Sequence, residues 1–121
     1  MRRFFGSVRN ALSGFGFAMR NERNMRIHTV LAVVALALAV WLRISAIEWL
    51  FVSFAVALIF VMELINTAIE KTVDLAMPER HPLAKAVKDC AAAAVFVSSV
   101  FVVVVGVVVF GGKLLERVGL W

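Results

Sequence analysis

The sequence lacks most of the features on which familiar enzyme classes depend. A single cysteine, Cys90, excludes a disulfide framework or a cysteine metal cluster within the chain, and it is expected to be a reduced packing residue. The only prolines, Pro78 and Pro82, bracket one short loop. There is no glycine-rich phosphate loop, no kinase catalytic loop, no HExxH zinc motif and no Gly-x-Ser-x-Gly nucleophile elbow. The motifs therefore give no support to an ordinary soluble enzyme.

Charge is missing from three long stretches, and 63% of the 121 residues are hydrophobic, which is far above the globular average. Fourteen uncharged residues form each of the first two runs and twenty-three form the last: residues 29–42, 49–62 and 90–112. A membrane helix needs about 20 apolar residues, so the third run spans alone and the first two span with their flanks. We predict one all-α integral membrane domain, residues 1–121, with spanning helices at 27–42, 49–70 and 88–112.

The cations are distributed unevenly along the chain, whose formal net charge is +5. That charge could suggest nucleic acid as a partner, but ten of the thirteen cations precede the first span or lie around the second loop. By the positive-inside rule these two regions are cytoplasmic and the C-terminus is outside. Trp41 and Trp49 flank the turn between the first two spans, as is typical of an outer interface. Residues 1–26 contain no uninterrupted apolar core of the kind that a cleavable signal peptide requires.

Residues 1–25 have the pattern of a basic amphipathic helix. The apolar residues at three- and four-residue steps are Phe5, Val8, Leu12, Phe15 and Met19, and arginines occupy the remaining faces. Such a helix lies in the membrane interface, with its arginines towards anionic headgroups. We expect a surface helix here; the pattern is equally compatible with a plain anchor and with a further role.

The cytoplasmic part of the second predicted span contains acidic residues, although a membrane-spanning helix is expected to be apolar there. At about 100° per residue, Glu70 lies roughly 20° to one side of Glu63 and Asp74 roughly 20° to the other, with Asn66 and Thr67 on the same stripe. At a rise of ~1.5 Å per residue, Glu70 lies about 10 Å from Glu63 along the helix axis, and Asp74 lies about 6 Å further towards water. A carboxylate at bilayer depth costs several kcal/mol unless it is paired, metal-bound or hydrated, which favours a functional stripe. The alternative is structural polar contact between helices.

The chemistry that these residues support is not decided by spacing alone. Two carboxylates can hold Mg²⁺ together with substrate phosphates, a lysine can neutralise phosphate charge, and a membrane glutamate can act as a general base. The same groups could relay protons in a small transporter. Glu22 is the only acid before residue 48. Two interpretations are open: it forms a local ion pair with the neighbouring arginines, or it lies at the same membrane depth as the lower part of the acidic stripe. His28 is more typical of an interfacial hydrogen-bonding residue than of a metal ligand.

Several segments together resemble the small prokaryotic diacylglycerol kinase family over nearly the whole chain. The most specific is Glu-Leu-Ile-Asn-Thr-Ala-Ile-Glu at residues 63–70, and the others are Glu-Arg-Asn at 22–24, Arg-Ile-His at 26–28, His-Pro-Leu-Ala-Lys at 81–85 and Lys-Asp at 88–89. The resemblance implies a bacterial cell-membrane kinase that is a homotrimer of three-span subunits with an N-terminal surface helix. It also implies active sites shared between neighbouring subunits.

Residue roles follow from the same resemblance. It implies Glu63 as the catalytic base and Glu22 and Glu70 as Mg²⁺ ligands. Nucleotide contacts would come from Glu79, Arg80, His81, Lys88 and Asp89, with Asn66 and Asp74 supporting the site. The segments at 26–28 and 81–85 are similar to those of the undecaprenol branch of the family. We therefore expect a kinase that uses Mg²⁺ and ATP to phosphorylate undecaprenol, with diacylglycerol phosphorylation as the alternative and a proton-coupled transporter as the rival of a different class.

Overall fold

The chain folds into four α-helices that run end to end with short connections. The computed structural model describes residues 1–120. The helices, in chain order, are α1 (Arg2–Asn21), α2 (Arg23–Leu42), α3 (Ala46–Ala76) and α4 (Pro82–Arg117). The last three are long and apolar enough to cross a membrane. The prediction of an all-α protein with three spanning helices is therefore confirmed.

Local caps, rather than the edges of the uncharged runs, fix where α3 and α4 begin. Ser45 begins α3 with a reciprocal capping box, in which the Glu48 backbone N–H donates to Ser45 Oγ at 3.2 Å and the Ser45 N–H donates to Glu48 Oε1 at 3.0 Å. His81 begins α4, because its Nδ1 accepts from the Leu83 N–H at 3.1 Å and Pro82 occupies the first helical position. Both helices therefore begin before the predicted spans, and they also end beyond them.

The three spanning helices form a bundle in which α3 and α4 share the largest interface and α2 packs against both. The main buried cluster contains Ala39, Leu42, Ile44, Val52, Ala55, Val105 and Val109. Its small alanines let the helix backbones approach closely in a membrane. This cluster lies towards the end of the bundle where α3 begins, and further buried residues, including Met25 and Ile59, continue the packing down to the level of Glu63.

Ion pairs mark the two ends of the bundle. At the upper end, Lys113 Nζ lies 2.6 Å from Glu48 Oε1, and the Arg117 guanidinium stacks over the Trp41 ring at 5.0 Å. At the lower end, an ion pair between Lys88 and Asp74 joins α4 to α3. Successive spanning helices therefore run in opposite directions, as the charge pattern requires.

The N-terminal helix ends earlier than the predicted boundary at residue 25. Glu22 has extended backbone angles (φ −115°, ψ 115°) and makes a corner between α1 and α2. The Arg26 guanidinium stabilises this corner by donating to the Met19 and Arg20 carbonyls at 2.9 and 3.1 Å, where the last turn of α1 leaves carbonyls unpaired.

The second half of α1 packs against the bundle, whereas its first half is exposed. Ala18 is buried, and the Phe15 and Phe60 rings lie 5.6 Å apart. Phe5 and Leu12, on the predicted apolar face, remain more than half exposed in the single chain. α1 is thus an apolar-faced helix whose N-terminal half is available to other surfaces.

Candidate active site

The acidic stripe of α3 passes from a buried interior to the exposed lower end. Glu63, Asn66 and Thr67 are 2%, 8% and 5% exposed, Glu70 is half-buried and Asp74 is exposed. All three buried residues are polar, although they lie on a helix with an apolar sequence. The gradient arises because one helical stripe descends from the packed region of the bundle to its end.

Within the described part of the chain, Glu63 has one ionisable partner at ion-pair distance, His28 on α2. His28 Nε2 lies 3.2 Å from Glu63 Oε1, at ion-pair distance but outside hydrogen-bonding alignment. From the sequence, His28 is expected to be an interfacial hydrogen-bonding residue, and its contact with Glu63 is not predicted. One feature of the sequence indicates this contact. His28 lies about one turn into α2, the antiparallel neighbour of α3, and so is at about the depth of the acidic stripe.

Two further polar atoms on the stripe are buried without a hydrogen-bond partner among residues 1–120, Asn66 Oδ1 and Thr67 Oγ1. The Asn66 amide nitrogen points the other way and donates to Glu70 Oε1 at 3.4 Å. Buried acceptors and hydroxyls of this kind normally find a partner, so an unpaired set on one stripe is typical of a site that binds a polar group. Asn66 therefore links the Glu63 level of the stripe to the Glu70 level.

Glu22 reaches the same region from the corner between α1 and α2. Its Oε1 lies 3.8 Å from Lys71 Nζ, and its charge, like that of Glu70, acts unfavourably on the Glu63 carboxylate. The three acids are thus electrostatic neighbours. Within residues 1–120, however, no three acidic, histidine or cysteine side chains converge on one point as a complete protein metal site. Mg²⁺ usually keeps water and phosphate oxygens beside one or two carboxylates, so the donor set of Glu22 and Glu70 fits that ion.

A cavity of about 650 Å³ opens at the lower end between α3 and α4. Its lining includes four of the five predicted nucleotide residues, together with Asp74 and Lys85: Glu79, Arg80, His81 and Lys88. The fifth, Asp89, is exposed and accepts from Lys85 Nζ at 2.6 Å. Basic side chains around an open cavity beside a carboxylate stripe are suited to holding a polyphosphate.

Comparison with known proteins identifies the family to which the chain belongs. The family model for prokaryotic diacylglycerol kinase matches residues 9–110. The chain belongs to this family. It is therefore a multi-pass membrane lipid kinase that carries out ATP-dependent phosphoryl transfer, and the transporter alternative is set aside. The match runs from within α1 to within α4, so it includes both the stripe and the cavity.

Three relatives show the range within the family. The undecaprenol kinase of Bacillus subtilis is 41% identical over 114 residues, covering 94% of this chain and 93% of that protein. The diacylglycerol kinase of Synechocystis sp. is 40% identical over 101 residues, covering 83% of this chain and 58% of that protein. The diacylglycerol kinase of Pseudomonas aeruginosa is 38% identical over 98 residues, covering 81% and 80%.

Proposed function

We propose that this kinase transfers the γ-phosphate of Mg²⁺-ATP to the hydroxyl of undecaprenol, giving undecaprenyl phosphate. The observation that carries this choice is the near full-length similarity to an undecaprenol kinase, 41% identity over 94% of the chain. The segments Arg26-Ile27-His28 and His81-Pro82-Leu83-Ala84-Lys85 favour the same branch. The second candidate is diacylglycerol, with phosphatidic acid as product, because several relatives are named diacylglycerol kinases.

Glu63 is the proposed base. A lipid hydroxyl stays at the membrane boundary, so the group that takes its proton must also lie within the membrane rather than in the aqueous cavity. The burial of Glu63 and its position above Glu70 on the stripe support this role. In the reaction, the hydroxyl proton passes to a Glu63 oxygen while the lipid oxygen forms a bond to the γ-phosphorus. The bond from that phosphorus to the bridging oxygen of ADP breaks, leaving lipid phosphate and ADP.

Glu22 and Glu70 are the proposed Mg²⁺ ligands. The charges around these two residues support the assignment. Both carboxylates repel the buried Glu63, while Lys71 pairs with Glu22 and His28 pairs with Glu63. When bound, Mg²⁺ neutralises phosphate charge as the transfer proceeds. Asn66, which donates to Glu70, orients that ligand in the proposal.

The nucleotide is proposed to bind in the cavity at the lower end. Lys88, Arg80 and His81 supply the positive or donor groups for its phosphates, and Glu79 and Asp89 contact the remaining polar groups. The ion pair between Lys88 and Asp74 supports this arrangement, because it holds the lysine at the cavity wall.

We further propose a homotrimer with shared active sites, in a bacterial cell membrane with the N-terminus cytoplasmic and the C-terminus outside. The exposure of Glu79, Arg80 and Asp89 in the single chain leaves them free to meet groups from a neighbouring subunit. Native mass spectrometry should give a complex of three 13.3 kDa chains. A monomer that retains full kinase activity would contradict the shared site.

The proposed reaction is tested with purified protein, radiolabelled ATP and undecaprenol in mixed micelles, scored for labelled lipid. We expect undecaprenyl phosphate to accumulate with ADP in equal amounts. ATP hydrolysis without labelled lipid, for either undecaprenol or diacylglycerol, would contradict lipid kinase activity.

A further inference from the structure

The histidine at ion-pair distance from the proposed base has no role in the reaction described above. His28 lies on α2, its side chain is 19% exposed, and its Nε2 is 3.2 Å from Oε1 of the almost fully buried Glu63. Histidine offers an N–H donor whether it is neutral or protonated, and in the protonated form it adds a positive charge. The protonated form, or the neutral tautomer with its proton on Nε2, stabilises a carboxylate in this position.

The other ionisable groups that act on Glu63 oppose its charge. They are Glu22 at the corner between α1 and α2 and Glu70 on α3, both carboxylates. In the part of the chain that the structure describes, Glu63 Oε1 has no hydrogen-bond donor in alignment. A charged group at bilayer depth requires a partner, and among residues 1–120 His28 is the one favourable ionic neighbour of Glu63.

The backbone around His28 is held in place by contacts on both sides. Met25 is fully buried, and Arg26 donates to the Met19 and Arg20 carbonyls of α1. Thr29 Oγ1 also contacts α1, where it lies 3.3 Å from Met19 Sδ. These contacts fix the rotation of α2 at this level, so that the imidazole is directed at α3 while the flanking Ile27 is exposed.

We propose that His28 is a positioning residue for the kinase reaction, which holds the Glu63 carboxylate ionised and oriented towards the lipid hydroxyl. The inference rests on the proposed function, in which Glu63 is the base. A carboxylate that receives a proton must be charged and aligned beforehand, and a displacement of about 1 Å in such a group can cost about 10²-fold in rate. His28 acts through Glu63 and leaves the nucleotide cavity unchanged.

Three variants separate this role from simple packing. His28→Leu removes the donor and keeps bulk, and we expect kcat for lipid phosphorylation to fall about 10²-fold while KM for ATP stays within twofold. His28→Gln supplies an amide N–H close to the position of Nε2, so it should recover most of that loss. Val30→Ala, the matched control at an exposed position two residues further along α2, should keep wild-type kcat. Equal losses in all three variants would overturn the proposal, because they would indicate a packing defect of α2.

A double-mutant comparison tests whether His28 acts through Glu63. His28→Leu placed in the Glu63→Gln background should cause no further loss of rate, because the group that it orients is already absent. A further 10²-fold loss in that background would overturn the proposal. The size-exclusion profile of each variant verifies that it is folded and assembled.

An infrared measurement gives an answer that does not depend on turnover. At neutral pH, His28→Leu should gain the carbonyl band of a protonated carboxylic acid, and this band should vanish when Glu63→Gln is added. Wild-type protein should lack the band. If the band is equally strong with and without His28, the proposal is overturned. If wild-type protein phosphorylates no lipid, the proposed function fails, and the infrared comparison still decides whether His28 holds the charge on Glu63.

Discussion

Lys88 on α4 forms an ion pair with Asp74 on α3, and this pair joins the two helices at the wall of the lower cavity. Both side chains are partly exposed, so the pair adds little to the free energy of unfolding. Its value is in geometry, because it directs an ammonium group towards the space where phosphates are proposed to bind.

Replacing Lys88 by Met should therefore weaken ATP binding more than it affects folding. A charge-assisted hydrogen bond is worth about 1.5–3 kcal/mol, so we expect KM for ATP to rise about 10- to 100-fold, with KM for lipid unchanged. The measurement is steady-state kinetics in mixed micelles at saturating lipid. Lys113→Met is the matched control, since it breaks a similar pair with Glu48 at the upper end. Equal effects of the two variants on KM for ATP would argue against a phosphate role for Lys88.

The metal assignment predicts a specific change in magnesium dependence. Glu70→Gln and Glu22→Gln keep side-chain size but remove a hard anionic ligand, so each should raise the Mg²⁺ concentration needed for half-maximal activity and lower turnover. Activity is titrated with MgCl₂ at constant free ATP. Glu116→Gln, which removes an exposed acid at the upper end, should leave the titration unchanged. Unaltered magnesium dependence in both site variants would remove the assignment.

The charge distribution predicts the orientation of the chain in the membrane. A reporter fused after residue 121 should be extracytoplasmic, and one inserted at Pro78 should be cytoplasmic. Paired alkaline phosphatase and fluorescent protein fusions measure both positions. Two reporters on the same side would be incompatible with α4 crossing the membrane.

Substrate preference separates the two branches of the family. Undecaprenol should be phosphorylated with a higher kcat/KM than diacylglycerol in the same detergent and at the same mole fraction. The two lipids carry the reacting hydroxyl on very different chains. The same stripe should therefore discriminate between them, and the preference should be measurable. The reverse order would favour the diacylglycerol alternative.

Much of the fold was predictable because its signals are local and strong. Uncharged runs reveal the three spanning helices, and the steps of seven and four residues between Glu63, Glu70 and Asp74 place them on one stripe whatever the packing. The end of α1 was not predictable, because the apolar repeat through Met19 contains no stop signal. That end depends on Arg26, whose side chain reaches back to the carbonyls of α1.

The partners of the site residues needed the structure. Contact between His28 and Glu63 depends on the rotation of α2 about its own axis, which is set by the burial of Met25 and is not encoded in the spacing of either residue. The same holds for Glu22 and Lys71, which meet only because the chain turns at Glu22. Motif similarity identified the acids, whereas their countercharges come from tertiary packing.

The most direct test of the account is the rate of lipid phosphorylation by Glu63→Gln, measured with radiolabelled ATP at saturating Mg²⁺ and undecaprenol. The amide preserves the shape of the side chain and removes a buried charge, so folding and ATP binding should persist. Turnover should fall by the ~10²–10⁴-fold that loss of a general base typically causes. A rate near that of the wild type, together with an inactive Asp89→Asn, would contradict the account and transfer the role of base to Asp89.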